Sequence, residues 1–240
     1  MKVIVGIPAR FASSRFPGKP LAMLAGRPMI AHVVEKAKQA NVGEVLVATD
    51  DARIAEAAAS AGARVCMTHS DHASGSDRLA EALAELDCDV VVNVQGDEPM
   101  IDPAAIRAVL EPFATQPDLP MATLAHPIRD DFELQDANAV KVVCDARGHA
   151  LYFSRAPIPY LRNEAAATPL KHVGLYAYRR DFLLHYSSLT PSPLEQAEQL
   201  EQLRVLHHGH AIAVTVGDFH CIGIDTPADL ARAEALLNKA

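Results

Sequence analysis

The chain has 240 residues, is 50% apolar and carries a formal net charge of -8 at pH 7. Such a length and apolar content supply the core of one large domain and exclude wholesale disorder. The acidic balance argues against a general nucleic-acid binder, and no stretch approaches the roughly 18 apolar residues of a membrane span. The opening MKVIVGIPAR goes straight into a strand pattern and predicts no secretory leader. Cys66, Cys88, Cys144 and Cys221 lack CxxC spacing, which fits reduced thiols and a cytoplasmic protein.

In chain order, KVIVGI (2–7) is an apolar, β-branched run that predicts a strand buried on both faces. Pro28 opens a helix whose apolar positions Met29, Ile30, Val33, Val34 and Ala37 have helical spacing. A strand follows over 44–50, a helix over 51–62, a strand over 63–67 and a helix over 75–86. DVVVNVQGD (89–97) reads as another buried strand, with a helix over 102–113 after it. Repeated βα units predict an α/β fold with a doubly wound, mostly parallel sheet. The second half changes character. Two strands flank a turn near Ala146, Arg147 and Gly148, a strand covers 172–179, a helix 192–206 and a strand 211–217. Residues 156–171, with Pro157, Pro159 and Pro169, read as a mobile loop. Ser192 with Glu195 and Thr226 with Asp229 form capping pairs for the helix at 192 and for a final helix over 226–240. The expectation is one domain over 1–240 with an embedded β-rich region at roughly 121–190.

Two stretches of opposite sign carry the chemistry. The segment 8–27 leaves the first strand at the sheet edge where ligands of open α/β folds bind, and it has cations but no acid. Arg10, Arg15 and Lys19 suit a polyphosphate, and Gly18 permits close backbone approach. Neither GxxxxGK[ST] nor GxGxxG is present. At the end of the fourth strand, Asp97 and Glu98 follow Gly96, a natural place for a hard cation such as magnesium. Asp225 supplies a carboxylate from a distant segment, suited either to a second metal contact or to capping alone.

IPARFASSRFPGKPL, VATD, NVQGDEPMI, LYFSRAPIP, PSPLEQAEQLEQLRVL and GIDTPADL, in this order, resemble the 3-deoxy-manno-octulosonate (Kdo) cytidylyltransferases over nearly the whole chain. The resemblance implies an A-type nucleotidyltransferase fold, a homodimer, and transfer of CMP from CTP to the acid sugar for lipopolysaccharide synthesis. It implies that Ala9, Arg10, Arg15, Lys19, Ser74, Gly75 and Ser76 bind CTP, and that Asp97 and Asp225 hold magnesium. Arg10, Lys19, Asp97 and Asp225 would then be the catalytic set. Arg78, Gln95, Arg155, His172, Tyr176, Glu201 and Gln202 are implied for the sugar; read without the family, His172 suits a structural histidine and Glu201 and Gln202 a polar helix face. Rival readings are a cytidylyltransferase for 8-amino-Kdo or a sialic acid, a sugar-1-phosphate nucleotidyltransferase, and a non-catalytic nucleotide-binding module. His220 and Cys221 carry no assigned role.

Overall fold

The computed structural model describes residues 1–12, 16–72, 74–163, 166–219, 223–224 and 226–237. Arg15, Asp225, His220 and Cys221 therefore lie outside the described residues. The chain divides into two compact units, one formed by residues 1–107 with 221–240 and the other by 108–220.

In the first unit, β1 (Val3–Ala9) is buried along nearly its whole length, as its unbroken apolar run requires. A single 3-10 turn at Lys19–Leu21 and a hairpin of β2 (Met23–Leu24) and β3 (Arg27–Pro28) occupy the connection to α1 (Met29–Ala40). The apolar positions read from the sequence, Met29, Ile30, Val33, Val34 and Ala37, are all buried on α1. Burying each larger one contributes about 1.5–3 kcal/mol. β4 (Glu44–Thr49), α2 (Ala52–Ser60), β5 (Arg64–Met67), α3 (Gly75–Leu83), β6 (Val90–Asn93) and α4 (Pro103–Ala108) follow. Asp51 caps α2 by accepting from the N–H of Arg53 at 2.9 Å, and Ser74 and Asp77 cap α3 reciprocally.

All pairings in this part of the sheet are parallel, in the order β6-β1-β4-β5. The chain steps outward from β1 through β4 to β5, then returns through α3 to the other side of β1. Right-handed crossovers put α1 and α2 on one face and α3 on the opposite face. The order reverses between β1 and β6, and the carboxyl ends of those two strands open the crevice that such folds use for ligands.

The second unit is mixed. Its helices are α5 (Pro112–Thr115), α6 (Asp131–Gln135), α7 (Arg180–Tyr186), α8 (Pro193–Glu198) and α9 (Gln202–His207). Its strands are β7 (Met121–Pro127), β8 (Lys141–Cys144), β9 (Ala150–Ser154), β10 (Leu170–Arg179) and β11 (Ile212–Val216). β11 pairs parallel with β7, whereas β7 with β10, β10 with β8, and β8 with β9 are antiparallel. The expected hairpin over 139–155 is β8–β9, with Gly148 at φ 78° in its turn. β7, α6 and α7 had no counterpart in the sequence reading.

The helix expected over 192–206 is broken into α8 and α9. Gln199 ends α8 in the left-handed region, φ 55° and ψ 49°. Two side chains stabilise the break. Arg155 donates to the carbonyls of Glu198 and Gln199, and Arg204 of α9 reaches back to Glu195 of α8 at 2.5 Å. The helix α10 (Pro227–Leu237) returns to the first unit, where Ile224 and Ala233 join Leu24 and Met29 in one buried cluster. No helix among the described residues is long and apolar enough to cross a membrane.

Candidate active site

A cavity of about 240 Å³ opens where the order of β1 and β6 reverses. It is lined from the end of β1 and the loop after it (Ala9, Arg10, Lys19), from the start of α3 (Ser74, Gly75, Arg78) and from the segment after β6 (Gln95, Asp97). The backbones meet closely here: a Cβ on Gly96 would lie 2.9 Å from the Pro8 carbonyl oxygen, so only glycine lets the two strand ends approach. Gly18 sits at φ 70° and donates its N–H to the Phe11 carbonyl at 2.9 Å, which folds the cationic loop back before Lys19.

Lys19 and Asp97, 78 residues apart in sequence, form an ion pair with Nζ to Oδ2 at 2.5 Å. Their side chains are 13% and 31% exposed, so the pair faces the cavity while remaining partly shielded. The N–H of Ile224 donates to the Asp97 carbonyl at 2.9 Å, and Thr226 and Asp229 cap the start of α10. The residues flanking Asp225 are thereby anchored, one directly to Asp97. Among the described residues no three His, Cys, Asp or Glu side chains converge as a metal cluster.

Arg78 is 2% exposed although it lines the cavity. Its Nη1 donates to Thr68 Oγ1 at 2.6 Å and to the His69 carbonyl at 3.1 Å, and its Nη2 to Asp50 Oδ2 at 3.3 Å. A buried guanidinium requires such partners, because an unpaired charge there would cost several kcal/mol. Asp50 belongs to the VATD stretch, but reading the sequence did not give it this role. Gln95 Nε2 donates to Asn93 Oδ1 at 3.4 Å beside Asp97. Ser74 and Ser76 differ in environment: Ser74 spends its hydroxyl on the Asp77 cap, and Ser76 is buried. His72 also lines the cavity, and sequence reasoning missed it.

The remaining residues expected at a sugar site belong to the second unit. Arg155 donates through Nε to the Glu198 carbonyl at 2.7 Å and through Nη1 to the Ala137 carbonyl at 3.0 Å. Beneath it Lys141 is fully buried, its Nζ donating to the carbonyls of Asp136 and Arg155 at 2.8 and 2.7 Å. Burial pushes the Lys141 pKa below the ordinary lysine value. Gln202 is 4% exposed and its Nε2 has no hydrogen-bond partner among the described residues, an unmet donor that costs about 1–3 kcal/mol until an acceptor arrives. Glu201 is exposed, and its carbonyl accepts from the Tyr186 hydroxyl at 3.1 Å.

His172 and Tyr176 share a face of β10, their ring centroids 5.4 Å apart, because the register shift between Val173 and Tyr176 preserves the alternation. His172 Nε2 pairs with Thr123 Oγ1 at 3.0 Å, and burial pushes the imidazole pKa down to about 3. In the fold it is therefore neutral, whereas the unfolded chain takes up its proton near pH 6.5. The sign follows: stability from this group is intact above pH 6.5 and falls as the pH drops from there toward 3. Denaturant titrations at pH 7 and pH 5 should show this group costing the protein about 2 kcal/mol, and His172→Gln should flatten that slope. An equal slope in both chains would contradict the assignment.

Comparison with known proteins follows the same lines. A family model described as Cytidylyltransferase matches residues 4–212. A 3-deoxy-manno-octulosonate cytidylyltransferase of Syntrophotalea carbinolica is 51% identical over 247 aligned residues, covering 99% of each chain. Another, of Solibacter usitatus, is 52% identical and covers 98% of this chain and 94% of its own. A solved CMP:2-keto-3-deoxy-manno-octonic acid synthetase complexed with CTP has a TM-score of 0.94 and 48% identity, covering 100% of this chain and 99% of that one. A Leptospira borgpetersenii cytidylyltransferase, 17% identical with a TM-score of 0.68 and covering 100% of this chain and 88% of that one, shows the fold alone. The chain belongs to the cytidylyltransferase family and, at this identity over its whole length, to the 3-deoxy-manno-octulosonate cytidylyltransferases within it.

Proposed function

We propose that this enzyme joins CTP to the eight-carbon acid sugar Kdo, giving CMP-Kdo and pyrophosphate for lipopolysaccharide synthesis in the cytoplasm. The observation that carries the reading is the Lys19–Asp97 pair in the cavity between the ends of β1 and β6. The anomeric hydroxyl attacks the α-phosphorus; a new O–P bond forms there, the bond to the β-phosphate breaks, and pyrophosphate leaves. Positioning and charge neutralisation supply most of the acceleration in such chemistry.

Arg10 and Lys19 hold the triphosphate, with Arg15 from the same loop; the Arg forks bind phosphate oxygens in pairs and Lys19 acts as a mobile point charge. The backbone of Ala9 and the capped start of α3 (Ser74, Gly75, Ser76) enclose the nucleoside. Asp97 and Asp225 are the magnesium ligands; the hard carboxylate of Asp97, exposed to the cavity, fits that ion. Magnesium held there would neutralise phosphate charge and lower the pKa of the attacking hydroxyl. Arg78 and Gln95 extend toward the sugar. Arg155, His172, Tyr176, Glu201 and Gln202 complete its recognition, and the unmet Nε2 of buried Gln202 supports a sugar oxygen as its acceptor. The free thiols of Cys66 and Cys144 suit a reducing compartment; burial pushes the Cys144 pKa up to about 11, which leaves it unreactive. The exposed Leu151 and Tyr160 of the second unit support a homodimer, as the family resemblance implies.

The test is magnesium-dependent pyrophosphate release with each of four NTPs crossed with Kdo, 8-amino-Kdo and N-acetylneuraminate. Turnover is expected with CTP and Kdo. Silence with Kdo alongside turnover of another acid sugar would reject the substrate assignment.

A further inference from the structure

We propose that His72 determines nucleotide specificity, accepting through Nδ1 a hydrogen bond from the exocyclic amine of a cytosine base while Glu81 fixes its ring. The inference rests on the CTP reading above and adds a residue to it. His72 lines the cavity together with Arg10, Lys19 and Arg78, and its side chain is 19% exposed. Its Nε2 is bound by Glu81 Oε2, whose carboxylate also accepts from the N–H of His69 at 3.1 Å. Glu81 lies on α3, three residues beyond Arg78, so the helix that carries the buried Arg78 also ties down the loop that carries His72.

The direction of the contact follows from elementary hydrogen-bond chemistry. Burial alone would raise the Glu81 pKa, but the bonds from His72 and from the His69 N–H outweigh it, and the pKa is lowered. An ionised carboxylate only accepts, so Nε2 must carry the hydrogen. In the neutral imidazole Nδ1 is then an acceptor, and among the described residues the ring's side-chain hydrogen bond is the one from Nε2 to Glu81. A cytosine offers an N–H donor at its exocyclic amine, whereas a uracil offers a carbonyl oxygen at the same place. An acceptor that meets the first repels the second, and discrimination of this kind is strong because the mismatched pair stays desolvated and unbonded.

The test is direct binding of CTP and of UTP by calorimetry at pH 8, without acid sugar, to the wild type, His72→Gln and His72→Asn. Gln can keep the donor toward Glu81 but lacks the acceptor at the Nδ1 position; Asn places its amide oxygen near that position. The wild type is expected to prefer CTP. His72→Gln should lose about tenfold in CTP affinity with UTP affinity unchanged, and His72→Asn should recover most of the preference. If the wild type prefers CTP and His72→Gln keeps that preference, the inference about His72 is wrong and the CTP reading stands. An equal loss for both nucleotides in His72→Gln also overturns it, because it indicates a displaced loop rather than base reading. If the wild type shows no preference for CTP, the nucleotide reading itself fails.

Discussion

Asp97→Asn is expected to lower pyrophosphate release by about 10³-fold or more while the melting temperature stays within a few degrees of wild type. The substitution is nearly isosteric, and the amide oxygen still accepts from Lys19. The pair it replaces is partly exposed, with Asp97 at 31% and Lys19 at 13%, so its contribution to stability is about 1 kcal/mol or less. On the proposed reading, the carboxylate's charge is what the reaction requires. An amide is a poor ligand for a hard divalent cation and cannot neutralise it. The loss should therefore appear in kcat and in magnesium affinity measured by titration of the nucleotide-free protein. A wild-type rate in this variant would remove Asp97 from the catalytic set, and the metal assignment with it.

Lys19→Met is the second large effect. The expected outcome is a CTP KM raised about tenfold or more and a kcat/KM lowered by about 10²–10³-fold. Met keeps most of the aliphatic stem and removes the charge. Lys19→Arg should recover only part of the loss, because a planar fork does not reproduce a compact, mobile ammonium. Lys19 meets Asp97 at 2.5 Å, and on the proposed reading the triphosphate competes for the same ammonium. Raising the salt concentration should thus weaken CTP binding less in Lys19→Met than in wild type, as expected when one screened charge contact is gone. Kinetics indistinguishable from wild type would end the phosphate role of Lys19.

Much of the first unit was legible from residue patterns. The buried run that begins at Val3, the apolar stripe Met29–Ala37 and the capping residue Thr226 each act through local physics, where side-chain period and backbone hydrogen bonding are settled within a few residues. The second unit was less legible. MATLAHP (121–127) is short and its small residues carry little period, yet pairing with β10 and β11 makes it a strand. Leu-Glu-Gln around position 200 favours helix locally. Contacts from Arg155 and Arg204, remote or across the break, nonetheless hold Gln199 in the left-handed region.

The candidate site divides the same way. That a cation-rich loop follows the first strand, and that an acid pair closes the fourth, can be seen in the linear order because strand ends are punctuated by Gly and Pro. The partnership of Asp50 with Arg78, of Glu81 with His72, and the burial of Lys141 under Arg155 could not. The chain alone determined a βα-repeating protein with a cation-rich loop, since periodicity, caps and charge are properties of neighbours in sequence. Only the tertiary structure decided which cation meets which carboxylate and which histidine enters the cavity, because those contacts join segments brought together by the strand order β6-β1-β4-β5, and no local rule encodes that order.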